Sequence, residues 1–123
     1  MKVVLDSSGW IELLVDHGRG GLFEPALYSE ELIVPAMVYY EVTRYVLAFG
    51  GKQEKERVQA ALGKFTQAQI DQKTADLAAS LAHQHKLSAA DAIIYATSQY
   101  FDAELWTQDA HFAVLPMVKY FKK

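Results

Sequence analysis

Four acidic residues stand where a carboxylate could do chemistry: Asp6, Glu41, Asp91 and Asp109. Asp109 belongs to Leu105-Trp106-Thr107-Gln108-Asp109-Ala110-His111-Phe112. That stretch reads as a short buried strand that stops at Trp106 and turns at Thr107 to Asp109, with Phe112 packed back under the turn. Asp6 directly follows the apolar run Val3-Val4-Leu5. An acid just past a strand end lies at the mouth of an open α/β sheet, where such folds bind ligands. Glu41 has Met37, Val38, Tyr45 and Val46 around it on a helix face. An ionised Glu in that company is costly unless it is paired or meets a cation. Asp91 ends Ser88-Ala89-Ala90-Asp91, a capping-box spacing that puts it in the first turn of a helix.

Each acid also has an ordinary local account. Asp6 suits a turn or cap. Glu41 could pair with Arg44, three residues on. Asp91 could close its box, and Asp109 could cap a helix. Taken jointly, two follow strand ends, one lies on an apolar helix face and one opens a helix. If they converge, they make an oxygen-rich pocket suited to Mg²⁺ or Mn²⁺. Empty, such a pocket would be repulsive, raising carboxyl pKa values and destabilising the fold, and a divalent ion would relieve it.

Other chemistries are disfavoured. His83 and His85 are two apart and face different sides of a helix, His17 adjoins a Gly-rich turn, and His111 is expected at the surface. The familiar histidine metal spacings are absent. Neither GxxxxGK[ST] nor GxGxxG occurs, which disfavours nucleotide loops, and there is no GxSxG elbow.

The elements that would position the acids alternate. Val3–Leu5 predicts a buried first strand. Ser8 is placed to cap a helix carrying Trp10, Ile11, Leu13 and Leu14, which Gly18, Gly20 and Gly21 end. Leu22–Tyr28 suits a short helix with Pro25 near its first turn. Leu32–Val34 predicts a second strand closed by Pro35. A helix over 36–49 follows, with Met37, Val38, Val42, Tyr45, Val46 and Phe49 at spacings of three and four. Tyr39, Tyr40, Tyr45 and Phe49 surround it, suiting burial between the sheet and a neighbour, or a dimer or partner groove. Lys52–Phe65 reads as an amphipathic helix and Gln67–Ile70 as weakly strand-like. Helices starting at Asp71 or Thr74 and at Ser88 follow, then a strand at Glu104–Trp106, an edge strand at Val118–Tyr120 and a solvated tail of Lys122 and Lys123. The alternation predicts an α/β domain with a mostly parallel central sheet of four to five strands flanked by helices.

The 123 residues, 51% of them hydrophobic, suit one domain spanning 1–123 with a real core. With 0 Cys, thiolate metal sites and disulfides are excluded. No apolar run approaches the ~20 residues of a membrane span, and Asp6 cuts the first run short of a signal peptide. A cytoplasmic protein with no membrane partner is expected. The net charge of −3 argues against holding nucleic acid by a broad basic surface, but not against a nuclease whose carboxylates recruit cations.

The motifs together resemble a known family. Val4-Leu5-Asp6-Ser7-Ser8-Gly9-Trp10-Ile11-Glu12-Leu13-Leu14, Pro35 with Val38-Tyr39-Tyr40-Glu41-Val42, Ser88-Ala89-Ala90-Asp91-Ala92-Ile93-Ile94-Tyr95-Ala96, and Leu105 to Phe112 occur in order between Val3 and Tyr120. They resemble the four motifs of PIN-domain ribonucleases, and are most similar to VapC-type toxins of toxin–antitoxin pairs. The resemblance implies a PIN-like fold in which Asp6, Glu41, Asp91 and Asp109 hold one or two Mg²⁺ or Mn²⁺, with Ser8 and Thr107 supporting the carboxylates by hydrogen bonding. It implies hydrolysis of RNA by metal-activated water, leaving a 5′-phosphate and a 3′-hydroxyl. It also implies a homodimer and a cognate antitoxin with a DNA-binding domain. Two other functions share these features: a catalytically silent PIN-like module that binds protein or RNA, and a structure-specific DNA nuclease. The helices over 52–85 carry no diagnostic motif, so the RNA target is not legible there.

Overall fold

The computed structural model describes residues 1–16 and 18–123. His17, expected beside the glycine-rich turn, lies outside the described residues. Five parallel strands form one sheet in the order β3-β2-β1-β4-β5, where β1 is Lys2–Leu5, β2 Glu31–Pro35, β3 Thr66–Ala68, β4 Glu104–Thr107 and β5 Val118–Tyr120. A parallel sheet covered on both faces must be apolar residue after residue. Val3, Val4 and Leu5 accordingly lie beside Leu32, Ile33 and Val34 on one side and Leu105 and Trp106 on the other, all buried. Because every strand runs the same way, every carboxyl end opens on the same edge.

Six α-helices among the described residues cover the sheet: α1 (Ser7–Ile11), α2 (Gly20–Phe23), α3 (Ala36–Phe49), α4 (Gly51–Leu62), α5 (Gln72–His85) and α6 (Ala89–Tyr100). Two of them carry acids to the open edge. Pro35 ends β2 and stands at the N-cap of α3 with φ −64°, the value its ring imposes, and an extended ψ of 145°. Val38, Val42 and Val46 then recur every fourth residue and are the buried stripe of α3. Ser88 caps α6, accepting from Asp91 N at 3.3 Å, as its spacing implies. Ala92, Ile94, Tyr95 and Ala96 bury that helix, and the Tyr95 hydroxyl donates to Pro116 O at 2.8 Å.

Several boundaries differ from the sequence reading. The cap of α1 is Asp6, not Ser8. Asp6 is extended (φ −73°, ψ 177°) and its carboxylate accepts from Gly9 N, so the helix begins one residue before Ser8. The helix then widens into a π turn over Glu12–Asp16. Gly20 and Gly21 start α2 instead of ending the previous helix. At Gly20 a Cβ would approach Glu12 O to 3.0 Å. The Leu22–Tyr28 segment is split: α2 ends at Phe23 and a 3₁₀ helix takes Glu24–Tyr28, with Pro25 in its first turn. The third strand is shifted to Thr66–Ala68 because its partner β2 ends at Pro35, opposite Ala68. Beyond that point there is no ladder to join, and Ile70 is exposed. At Gly9 a Cβ would lie 2.9 Å from the Phe23 ring, so only Gly lets α1 lie this close to α2.

Candidate metal centre at the carboxyl edge of the sheet

The site begins with the register of two neighbouring strands. Leu5 lies opposite Trp106, so the next residues of β1 and β4 emerge side by side. These are Asp6 and Thr107, both buried. The backbone closes the step, with Asp6 N donating to Trp106 O at 3.2 Å. The Thr107 hydroxyl donates to Asp6 Oδ2 and accepts from Asp109 N at 2.9 Å. The other Asp6 oxygen, Oδ1, accepts from Ser8 Oγ at 2.8 Å and Gly9 N at 3.0 Å. Ser8 and Thr107 thus flank one carboxylate.

Asp109 ends the turn and caps the 3₁₀ helix Ala110–Phe112. Its Oδ1 accepts from His111 N at 2.9 Å and lies 3.1 Å from His111 Nδ1. Phe112 is fully buried beneath, packed toward Tyr95 of α6 with ring centroids 6.4 Å apart. That contact sets the turn against the start of α6, where Asp91 is half-buried. From the other side, α3 brings Glu41.

All four carboxylates, Asp6, Glu41, Asp91 and Asp109, line one cavity of about 360 Å³. They do not form one tight knot. Single ligand atoms of Asp91, Asp109 and His111 lie within 4.8 Å of one another, while Asp6 and Glu41 line the same cavity outside that group. The Glu41–Arg44 ion pair, the ordinary local alternative for this acid, does not form among the described residues. The Arg44 guanidinium instead reaches Tyr40 Oη at 3.5 Å, and Glu41 remains half-buried on the cavity wall.

The electrostatics are those of a crowded acidic pocket. Burial pushes the Asp6 carboxyl above its ordinary value, partly offset by hydrogen bonds from Thr107, Ser8 and Gly9, and the Asp109 charge adds to the rise. Burial also raises Asp91, again helped by Asp109 and opposed by Ser88 and His111.

Three features were not read from the sequence. His111 is exposed, as expected, yet its ring adjoins Asp109; the signal was its position two residues after the acid at a helix start. Glu12 is buried and accepts from Gln108 Nε2 at 2.9 Å, while Arg19 Nε donates to Gln108 Oε1 at 2.8 Å and lies 4.0 Å from Glu12. Lys123, expected in a solvated tail, is exposed but also lines the acid cavity. Phe121 N donates to Thr107 O at 2.8 Å and Arg19 donates to Lys122 O at 3.1 Å, which ties the tail to the site. Of the α3 aromatics, Tyr39 and Tyr45 are partly buried, while Tyr40 (55%) and Phe49 (77%) are exposed.

Comparison with known proteins agrees with this architecture. No curated protein matches the sequence significantly. Among solved structures, a toxin–antitoxin complex from Klebsiella pneumoniae contains a chain 26% identical, with a TM-score of 0.82 and 95% of each chain covered. FitAB bound to an IR36 DNA fragment is also 26% identical, with a TM-score of 0.76 over 96% of this chain and 94% of that one. VapC20 of Mycobacterium tuberculosis, described as a Sarcin-Ricin loop cleaving toxin, shares the fold at 16% identity and a TM-score of 0.74, over 93% of this chain and 95% of that one. The model of the PIN domain matches residues 3–116, and the chain belongs to the PIN domain family.

Proposed function

We propose that this protein is a Mg²⁺- or Mn²⁺-dependent endoribonuclease and the toxin of a type II toxin–antitoxin pair. The observation that carries the proposal is the meeting of Asp6, Glu41, Asp91 and Asp109 on one cavity. The donor set fits a hard divalent cation: carboxylate oxygens dominate, one imidazole is adjacent, and there are no thiols. Burial, with the Asp109 charge adding to it, raises the Asp6 and Asp91 carboxyls, so ionising them here is costly unless a cation is present. Asp6, Glu41, Asp91 and Asp109 would hold the ion, which when bound supplies charge neutralisation at phosphate and activation of water.

The protein's own contribution is order. Thr107, Ser8 and Gly9 fix both oxygens of Asp6, so the deepest acid has one orientation. Asp109 Oδ1 is held by His111. A site built at strand ends and helix starts keeps its groups in place without rearrangement at the moment of reaction. The reaction so served is hydrolysis of an RNA phosphodiester, leaving a 5′-phosphate and a 3′-hydroxyl.

The family and the solved complexes, among them a toxin–antitoxin complex and DNA-bound VapBC and FitAB, support the partners of this reading. In this reading a cognate antitoxin with a DNA-binding domain neutralises the acidic pocket, and the toxin acts in the cytoplasm. No helix among the described residues is long and apolar enough to cross a membrane. The exposed Leu47 and Phe49 of α3 suit an apolar contact in a homodimer.

The test is production of the protein and of Asp6→Asn without the antitoxin. Wild type should arrest growth and, purified with Mn²⁺, cut RNA; Asp6→Asn should do neither while staying folded. RNA cleavage by the variant at the wild-type rate, or cleavage that persists in excess EDTA, would refute the proposal. Parallel assays on RNA and its all-DNA counterpart separate this reading from a DNA nuclease.

A further inference from the structure

Single-stranded RNA carries a charge at every phosphate, and the proposed site is lined with acids. A bound ion can neutralise the reacting centre but not the neighbouring phosphates, so the strand needs cations beside the cavity. Two basic residues occupy such positions. Arg44 lines a second cavity of about 250 Å³ with Ser7, Ile11, Glu41 and Tyr45. Ser7 and Glu41 line both that cavity and the acid cavity, so the two adjoin. Arg44 is exposed, hydrogen-bonded to the Tyr40 hydroxyl at 3.5 Å, and feels the Glu41 charge without closing an ion pair with it, so its guanidinium still has N–H groups to offer a phosphate. Lys123 lines the acid cavity itself. Its backbone neighbourhood is pinned by the Phe121–Thr107 and Arg19–Lys122 hydrogen bonds, and no described ion pair involves its side chain.

Sheet order decides how these cations lie relative to the acids. Asp6 and Asp109 follow the adjacent strands β1 and β4. Arg44 is on α3, which leaves the end of β2 on the outer side of β1. Lys123 follows β5, on the outer side of β4. One cation therefore flanks the acids on each side along the same edge of the sheet.

We propose that a single RNA strand crosses this edge from the β2 side to the β5 side, with Arg44 and Lys123 holding phosphates on either side of the one to be cut. This rests on the endoribonuclease reading. Arginine suits the role because its planar fork takes two phosphate oxygens at once.

The experiment is equilibrium binding of a fluorescent short oligouridine to the full chain across a range of salt, with Ca²⁺ replacing Mg²⁺ to suppress cutting. For single strands the slope of log affinity against log salt is about 0.7 per phosphate contact. Arg44→Gln and Lys123→Gln should each reduce the slope by about 0.7, and the double variant by about 1.4. Lys2→Gln removes the same charge at the opposite end of β1 and should leave the slope unchanged. The path is overturned if both site variants keep the wild-type slope, if Lys2→Gln lowers it equally, or if the wild type does not bind the strand. If wild type cuts RNA with Mn²⁺ while the slopes stay fixed, the path alone fails. If it binds with the expected slopes but cuts no RNA, the nuclease reading fails.

Discussion

Thr107 and Asp6, 101 residues apart in the chain, share a hydrogen bond at the centre of the site. The same hydroxyl accepts from Asp109 N, so one threonine orients two acids. Thr107→Val keeps the shape but removes both bonds. It leaves a buried carboxylate without one donor and a backbone N–H without an acceptor. The expected loss is about 1–3 kcal/mol of stability, with Thr107→Ser recovering most of it. Urea denaturation measures it, and an unchanged midpoint in Thr107→Val would show that the pair contributes nothing.

The pH dependence of the metal-free fold follows from the same acids. Asp6 and Asp91 are raised above their ordinary values, so the folded chain holds protons that the unfolded chain releases. Stability from this source is complete below the ordinary carboxylate pKa and is lost as pH rises through the raised values. Asp71 works the other way: its carboxylate, bonded to Thr74 N at 2.8 Å, lies below the usual range, so its contribution is lost as pH falls through that lower value. The metal-free protein should therefore melt highest in mildly acidic buffer and lower at neutral pH. Asp6→Asn should flatten that decline and raise the neutral melting temperature; about 1 kcal/mol corresponds to roughly 3–6 °C in a domain of this size. A flat profile in wild type would contradict this account.

Divalent cations should reverse the neutral-pH penalty. At 100-fold excess over its dissociation constant, Mn²⁺ adds about 2.7 kcal/mol to stability. Scanning calorimetry with and without EDTA reads this directly. Asp109→Asn should abolish the shift. His111→Ala should reduce Mn²⁺ affinity about tenfold by removing the group that steadies Asp109. An identical Mn²⁺ shift in Asp109→Asn would exclude Asp109 from the site.

The Glu12–Gln108–Arg19 network predicts an effect outside the acid set. Glu12→Ala would leave the buried Gln108 amide without its acceptor and Arg19 without its carboxylate. Arg19 is a third exposed, so solvent compensates part of the loss, and about 1–3 kcal/mol is expected. Glu12→Gln retains the acceptor and should cost less. Equal denaturation midpoints for wild type and Glu12→Ala would sink this.

Gly9 offers a packing test. Gly9→Ala places a methyl group 2.9 Å from the Phe23 ring, which must shift. The expected cost is about 1–3 kcal/mol, in line with overpacking of a dense core. Thermal unfolding at or above the wild-type temperature would show that the ring moves freely.

Much of the fold was legible because its signals are local. The β-prone runs, the α3 and α6 periodicities and the caps at Asp71 and Ser88 depend on residues within a few positions of one another. The boundaries that differed depended on distant partners. β3 stops where β2 ends at Pro35, and Gly20, which opens a helix, lies where a Cβ would crowd Glu12 O. Ser8 lost the cap to Asp6, since both can accept from an early helical N–H and only the backbone angles decide between them.

For the site, the division is similar. The sequence by itself determined the four acids, two at strand ends, one on a helix face and one at a helix start, and the Ser and Thr beside them, because chemistry and local turns are written residue by residue. Only the tertiary structure decided that the acids share one cavity, that Asp91 and Asp109 draw in His111, that Glu41 and Arg44 close no ion pair, and that Lys123 returns to the pocket. Those facts follow from strand order and register, which join residues a hundred positions apart through packing that no local pattern encodes.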